Sequence, residues 1–130
     1  ILNCSNNFGP NQHNEKLIPT IITNSLQRKE IPVYGNGLNV REWIFVEDYC
    51  NAVFEVISQR EKSLFETFCV GSGNELTNID IVSAFVDVRK GHDFRYAIDS
   101  SKIQNDLNFS IDTNFDEALM KTIKWYKDKI

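Results

Sequence analysis

The sequence contains few of the residue types that metal sites and disulfide frameworks require, with three cysteines and two histidines among 130 residues. Cys4, Cys50 and Cys69 are odd in number and widely spaced, which matches neither a disulfide framework nor a zinc knuckle. We therefore expect reduced thiols that pack as small apolar groups. Because His13 and His92 have no cysteine or histidine near them in the sequence, we predict no metal site.

Long apolar runs and an excess of basic residues are also missing. No stretch reaches the roughly 18 apolar residues of a membrane helix, and residues 1–12 lack the basic and apolar regions of a signal peptide. Fourteen basic side chains stand against eighteen acidic ones, a formal charge of −4, so binding to a nucleic-acid backbone is not expected. These features predict a cytoplasmic protein with neither a membrane nor a nucleic-acid partner.

The sequence lacks the motifs of a self-sufficient enzyme. The Gly-X-Gly segments at 35–37 and 71–73 begin like a dinucleotide-binding loop, but Val40 and Leu76 occupy the position of the third glycine. No tyrosine is followed four residues later by a lysine, the spacing at which an ammonium group lowers the pKa of the phenol on one helix face. We expect that this chain alone does not catalyse a reaction.

The patterns that are present predict one mixed, largely helical α/β domain over residues 1–130. Helices are predicted at 15–30, from Glu47 and Asp48 onwards with Ala52, Val53, Val56 and Ile57 facing inward, after a Thr77–Asp80 capping box, after an Asp99 N-cap, and at 115–129 after a Thr113–Asp116 capping box. Strands are predicted at 31–34 and 40–46 around a hairpin-type turn at 35–37, and at 65–70 and 96–98. The apolar opening, Ile1-Leu2, resembles the interior of a buried strand, so we expect the chain to come from a longer protein.

Several polar and aromatic residues suit the binding of a phosphorylated, planar ligand. Arg41 and Arg89 offer planar guanidinium forks for phosphate oxygens, and Lys16 follows an asparagine-rich loop. Pro32 and Tyr34 are able to hold a base between a ring edge and an aromatic face. On spacing alone, surface charges and core aromatics explain the same residues, and both interpretations stay open at this point.

A series of short segments follows one order along the chain. The segments are SNNFGP at 5–10, EKLIP at 15–19, PVYGNG at 32–37, NVREW at 39–43, VED at 46–48, NELTN at 74–78, RKGHD at 89–93, RYAID at 95–99 and KWY at 124–126. In order and spacing they resemble the dTDP-glucose 4,6-dehydratases, extended short-chain dehydrogenases of the NAD-dependent epimerase/dehydratase family. The resemblance covers nearly the whole chain.

The resemblance implies that this chain is the C-terminal, nucleotide-sugar-binding portion of an NAD-dependent lyase, without its Rossmann NAD domain. Enzymes of that family oxidise a nucleotide sugar at C4, eliminate water across C5 and C6, and return the hydride to C6. The expected partners are a dTDP- or UDP-sugar and the Rossmann half of the same enzyme, and a homodimer is implied only for the intact enzyme.

The same resemblance implies roles for individual residues. Asn6 would contact the sugar or its phosphate, and Asn7 would lie against the nicotinamide of NAD. Lys16 and Leu17 would line the diphosphate with side chain or backbone. The residues that would flank the base are Pro32, Val33 and Tyr34, those that would neutralise the diphosphate are Arg41 and Arg89, and those that would complete the pocket are Asn78 and His92.

One departure from the family keeps alternatives open. Only residues 79–88 separate Asn78 from Arg89, whereas a helix and a following strand need roughly 16 residues. The alternatives are a sister extended dehydrogenase, such as a UDP-sugar epimerase or decarboxylase, and a non-catalytic nucleotide-sugar-binding or interaction module. The shortened segment favours the second of these.

Overall fold

A computed structural model of the chain describes residues 1–86 and 98–129. Of Val86 it describes only the backbone. The helices in these ranges are α1 (Leu17–Leu26), α2 (Val46–Ser58), α3 (Arg60–Ser63), α4 (Asn78–Val86), α5 (Ser101–Leu107) and α6 (Phe115–Lys127). The strands are β1 (Leu2–Cys4), β2 (Asn6–Phe8), β3 (Val40–Phe45), β4 (Phe68–Val70) and β5 (Glu75–Thr77). The predicted α/β class is therefore confirmed.

The strands form two small sheets that meet at the start of the chain. β1 pairs in parallel with β4, and Cys4 lies opposite Val70. β3 is the central strand of the other sheet, with β2 parallel on one side and β5 antiparallel on the other. Only Ser5 separates β1 from β2, and its N–H donates to the carbonyl of Val70 at 3.1 Å, so the first residues of the chain join both sheets.

The predicted strand at 31–34 and its hairpin with 40–46 are wrong. Residues 31–39 form no strand, because both edges of β3 are occupied by β2 and β5, and Pro32 has no N–H to donate to a ladder. The predicted turn itself is present. Gly35 and Gly37 have φ angles of 62° and 71°, and the N–H of Gly37 donates to the carbonyl of Tyr34 at 3.3 Å.

Two hydrophobic clusters share β3 as a common wall. The first contains Phe8, Ile18, Ile21, Ile22, Trp43, Phe45, Ile81, Ala118, Leu119 and Tyr126, and the second contains Ile44, Ala52, Phe68, Val70, Ile103 and Leu107. Successive side chains of a strand point to opposite faces. Trp43 and Phe45 therefore enter the first cluster, while Ile44, between them, enters the second.

The helix starts agree in part with the predicted caps. The N–H of Thr77 donates to the Asp80 carboxylate at 2.9 Å, and the N–H of Asp80 donates to the Thr77 hydroxyl at 3.0 Å, which confirms that capping box. The predicted Thr113 cap is wrong. Asn114 caps α6, because the Thr113 hydroxyl is engaged in donating to the Asp48 carboxylate at 2.5 Å.

Other predicted boundaries and faces shift by a few residues. α1 is shorter than 15–30, α6 ends before 129, and β4 begins at Phe68 instead of residue 65. The N-cap of α5 is Ser100, although the Asp99 carboxylate accepts the N–H of Ser101 at 2.9 Å. Ile57 was predicted to face inward, but 68% of it is exposed, because the core face of α2 passes through Ala52.

All three cysteines are free thiols. Cys4 and Cys69 are partly buried, whereas Cys50 is exposed, contrary to the expected packing.

The predicted strand at 96–98 lies outside the described residues except for Ile98. Within the described ranges, no helix has the length and apolar character to cross a membrane.

Candidate functional site

A pocket of about 490 Å³ opens beside β2 and β3. Among the described residues, it is lined by Cys4, Ser5, Asn6, Arg41, Glu42 and Ile98. Parallel pairing places Asn6 opposite Trp43, two residues from Arg41, and the Asn6 amide donates to the carbonyl of Glu42 at 3.2 Å. The structure thus brings two predicted substrate-binding residues, Asn6 and Arg41, to one pocket.

Arg41 contributes positive charge to the pocket. It is exposed on β3, and its Nη1 donates to the carbonyl of Val40 at 2.8 Å. In the part of the chain that the structure describes, Arg41 forms no ion pair. The remaining N–H groups of its guanidinium can bind an anion, and phosphate oxygens match the geometry of this group.

Five buried side-chain polar atoms have no hydrogen-bond partner among the described residues. Two of the five belong to residues in or next to β2, and these are the Ser5 hydroxyl oxygen and the Asn7 amide oxygen. The Asn7 amide nitrogen donates to Cys4 Sγ at 3.0 Å and to the carbonyl of Ser5 at 3.4 Å, so its oxygen points away from both. A buried polar group without a partner costs about 1–3 kcal/mol, so both atoms are candidates to bind a ligand.

The loop that contains Pro32, Val33 and Tyr34 is joined to the start of α4 by backbone hydrogen bonds. The carbonyl of Gly37 accepts the N–H of Ile79 at 3.0 Å, and the carbonyl of Asn39 accepts the N–H of Asn78 at 3.1 Å. These bonds bring Asn78 close to the predicted base-binding loop. The three predicted base-binding side chains are exposed, Tyr34 by 84%.

Lys16 and Leu17 begin α1 and are not among the residues that line the pocket. Lys16 is exposed at the N-cap position, with its ammonium 4.0 Å from the Glu15 carboxylate. Leu17 packs partly against the first hydrophobic cluster.

Arg89 and His92 lie outside the described residues. Among the residues within the description, no group of histidine, cysteine and acidic side chains has the arrangement of a metal site.

The sequence did not identify Glu42 as a site residue. It lines the pocket and is only 3% exposed, whereas a glutamate between Arg41 and Trp43 on a strand is expected to face solvent. Its carboxylate accepts the N–H of Gly73 at 3.0 Å and the N–H of Ile98 at 2.6 Å. The available sequence signal was the Gly-Ser-Gly segment, since only a residue without a side chain leaves room for this carboxylate beside Gly71.

Comparison with known sequences identifies relatives over nearly the whole chain. The profile of the NAD dependent epimerase/dehydratase family matches residues 1–71. A probable dTDP-glucose 4,6-dehydratase of Sinorhizobium fredii is 42% identical, over 97% of this chain and 41% of the relative. The dTDP-glucose 4,6-dehydratase of Neisseria gonorrhoeae is 40% identical, over 98% of this chain and 43% of the relative.

Solved structures give the same assignment. The dTDP-glucose 4,6-dehydratase of Bacillus anthracis, in complex with NAD, is 37% identical with a TM-score of 0.86, over 98% of this chain and 44% of that one. The fold is shared by UDP-glucose 4-epimerase of Thermotoga maritima. That protein is 21% identical with a TM-score of 0.85, over 98% of this chain and 45% of that one.

The chain spans about two fifths of the length of the curated relatives that it matches. The alignment with the Sinorhizobium relative extends over 146 residues, more than the 130 of this chain, so that relative has residues opposite gaps in this one. That these gaps fall within residues 79–88 stays a prediction. From the family profile, the relatives and the fold together, the chain belongs to the NAD dependent epimerase/dehydratase family.

Proposed function

We propose that this chain is the nucleotide-sugar-binding portion of an NAD-dependent dTDP-glucose 4,6-dehydratase, and that its pocket binds the diphosphate of a dTDP- or UDP-sugar. The observation that carries the proposal is the placement of Arg41 and Asn6 on one pocket, beside the unpaired hydroxyl of Ser5. The pocket volume of about 490 Å³ lies within the range of about 300–1,000 Å³ for small-molecule sites.

The other predicted residues have the following proposed roles. Arg89 shares the diphosphate charge with Arg41, and Lys16 and Leu17 line the diphosphate. The exposed loop of Pro32, Val33 and Tyr34 holds the base, because an exposed ring and a proline present flat apolar surfaces to it. Asn78, fastened beside that loop through its backbone, and His92 complete the site.

NAD and the Rossmann half of the enzyme are proposed partners of β1 and Asn7. Among the described strands, β1 pairs only with β4, so its second edge is open to another parallel strand. We infer that the Rossmann sheet of the intact enzyme continues at this edge. NAD accepts and returns the hydride when it is bound. The unpaired amide oxygen of Asn7 suits the carboxamide of its nicotinamide.

A homodimer of the intact enzyme and a cytoplasmic location remain predictions.

Calorimetric titration of the folded chain with dTDP, UDP and NAD tests the proposal. Binding of dTDP or UDP is expected, and Arg41→Ala should weaken it about tenfold or more, because hydrogen bonds to charged groups contribute about 1.5–3 kcal/mol. Arg60→Ala is the matched control, since Arg60 is an exposed arginine on α3 that does not line the pocket. NAD is not expected to bind without the Rossmann half.

Equal weakening by Arg41→Ala and Arg60→Ala would show that dTDP responds to overall charge and not to the pocket. A folded chain that binds neither dTDP nor UDP would contradict the proposal.

A non-catalytic nucleotide-sugar-binding module is the second candidate. The residues that the Sinorhizobium relative has opposite gaps in this chain favour it, because a shortened site need not support turnover. Incubation of the intact protein with dTDP-glucose and NAD distinguishes the two functions. Formation of a 4-keto-6-deoxy sugar supports the lyase, and dTDP binding without conversion supports the module.

A further inference from the structure

Glu42 is a buried acid in the wall of a pocket to which we assign an anion. It is 3% exposed, and no basic side chain in residues 1–86 and 98–129 forms an ion pair with it. A buried carboxylate is costly unless hydrogen bonds replace its hydration. The two backbone N–H groups of Gly73 and Ile98 supply these bonds, one to each carboxylate oxygen.

The segment that contains Gly73 is shaped to receive this carboxylate. A Cβ atom on Gly71 would collide with Oε1 of Glu42 and would lie in tight contact with the carboxyl carbon and Oε2. The next residue, Ser72, donates to the carbonyl of Trp43 at 2.5 Å, and the N–H of Trp43 donates to the carbonyl of Asn74 at 2.9 Å. Residues 71–74 therefore lie along β3, with the Glu42 carboxylate between them and Ile98.

The electrostatic effect of Glu42 on an anion is unfavourable. Glu42 follows Arg41 on β3, and a negative charge in the pocket repels a diphosphate. If charge were the only contribution of this side chain, its removal would raise the affinity for a nucleotide diphosphate. The hydrogen bonds predict the opposite effect, because Ile98 itself lines the pocket and is held by the Glu42 carboxylate.

We propose that Glu42 is a positioning residue of the nucleotide site. Its carboxylate holds Ile98 and Gly73 at set positions relative to β3, so that Ile98 completes the pocket that contains Arg41 and Asn6. This role rests on the proposed function, in which the pocket binds the diphosphate. It adds to that function a residue that acts through the backbone of two other segments.

Glu42→Gln is the decisive substitution. Glutamine keeps the size of the side chain and one acceptor oxygen, but its amide nitrogen is a donor, so one of the two backbone N–H groups loses its acceptor. We expect the affinity of the folded chain for dTDP to fall about tenfold, although a negative charge has been removed. Glu47→Gln is the matched control, because it removes the same charge from an exposed position on α2 and should leave the affinity unchanged.

Amide hydrogen exchange separates positioning from general stability. In Glu42→Gln, the amide of Gly73 or of Ile98, whichever has lost its acceptor, should exchange faster, while those of Ile21 and Ile22 in the first cluster keep their wild-type rates. Gly71→Ala provides a second variant, since it displaces the same carboxylate without changing its charge. It should also weaken dTDP binding.

The outcomes are distinct. If the wild-type chain fails to bind dTDP or UDP, the proposed function fails and this role fails with it. If the wild type binds and Glu42→Gln binds equally or more tightly, the positioning role alone is wrong. If neither Glu42→Gln nor Gly71→Ala folds, the bridge serves stability only and the proposal is overturned.

Discussion

At the scale of single residues, the Tyr126 hydroxyl connects α6 to the loop before α1. It donates to the carbonyl of Gln12 at 2.5 Å, 114 positions away in the chain, and the tyrosine is 4% exposed. Burial raises the pKa of Tyr126 above its usual value, because the phenolate is poorly solvated there. The Gln12 side chain in turn donates to the carbonyl of Asn7 at 2.7 Å, so this contact reaches the segment proposed to bind NAD.

Tyr126→Phe tests this contact. We expect a loss of about 1 kcal/mol in the free energy of unfolding at neutral pH, because the carbonyl of Gln12 loses its donor. Since the folded state raises the pKa, the stabilising contribution is complete below about pH 10 and is lost as the pH rises through the folded pKa. Urea denaturation at neutral and alkaline pH should show a smaller alkaline loss in Tyr126→Phe than in the wild type. Identical alkaline losses in the two proteins would contradict this explanation.

At the scale of elements, the start of α6 depends on Asn114. Its side-chain oxygen accepts the N–H groups of Asp116 at 2.9 Å and Glu117 at 3.2 Å. Both acidic residues lie in the first turn, where negative charge is favourable to the helix dipole. The preceding Thr113 instead contacts Asp48, which is buried near the start of α2, so two adjacent polar residues serve two different helices.

Asn114→Ala should lower the free energy of unfolding by about 1 kcal/mol, since alanine cannot accept from the first N–H groups of the helix. Asn114→Asp is the control, because aspartate keeps an acceptor at the same position and should retain most of the stability. Chemical denaturation of both variants measures the difference. An unchanged Asn114→Ala variant would mean that α6 begins without this cap.

At the scale of the whole molecule, the two hydrophobic clusters are coupled through β3. Ile44 faces one cluster while Trp43 and Phe45 face the other, so neither cluster can separate from the strand without exposing apolar surface. We therefore expect the described regions to unfold in one cooperative transition and not cluster by cluster.

The substitutions Ile21→Val and Ile103→Val test this coupling, one in each cluster. Each removes one buried methyl group and should cost about 0.5–1.5 kcal/mol. Both should shift the same unfolding midpoint, followed by tryptophan fluorescence and by circular dichroism. Ile57→Val is the matched control, because its side chain is 68% exposed and the change should leave the midpoint in place. Transitions that separate in only one of the two core variants would show that the clusters unfold independently.

The sequence by itself determined the family, the α/β class, and the elements whose signals are local. The Thr77–Asp80 capping box joins residues three positions apart, and Glu47 and Asp48 lie in the first turn of the helix that they were predicted to begin. Such features depend on neighbours within one helical turn, so they are visible without knowledge of the fold. The ordered motifs also predicted that Asn6 and Arg41 bind the substrate; the structure places both on one pocket, and their role stays a prediction.

Only the tertiary structure decided the partners that lie far apart in the chain. The pattern of residues 40–46 predicted a strand but not its pairing with β2 and β5, and the turn at 35–37 suggested a hairpin that those partners exclude. Glu42 has the sequence pattern of an exposed strand residue. Its carboxylate nevertheless accepts the N–H of Gly73, 31 positions away in the chain, and that of Ile98, 56 positions away. The physical reason is that strand pairing and the burial of a charge depend on which distant backbone groups the folded chain brings to them, and no local pattern encodes that.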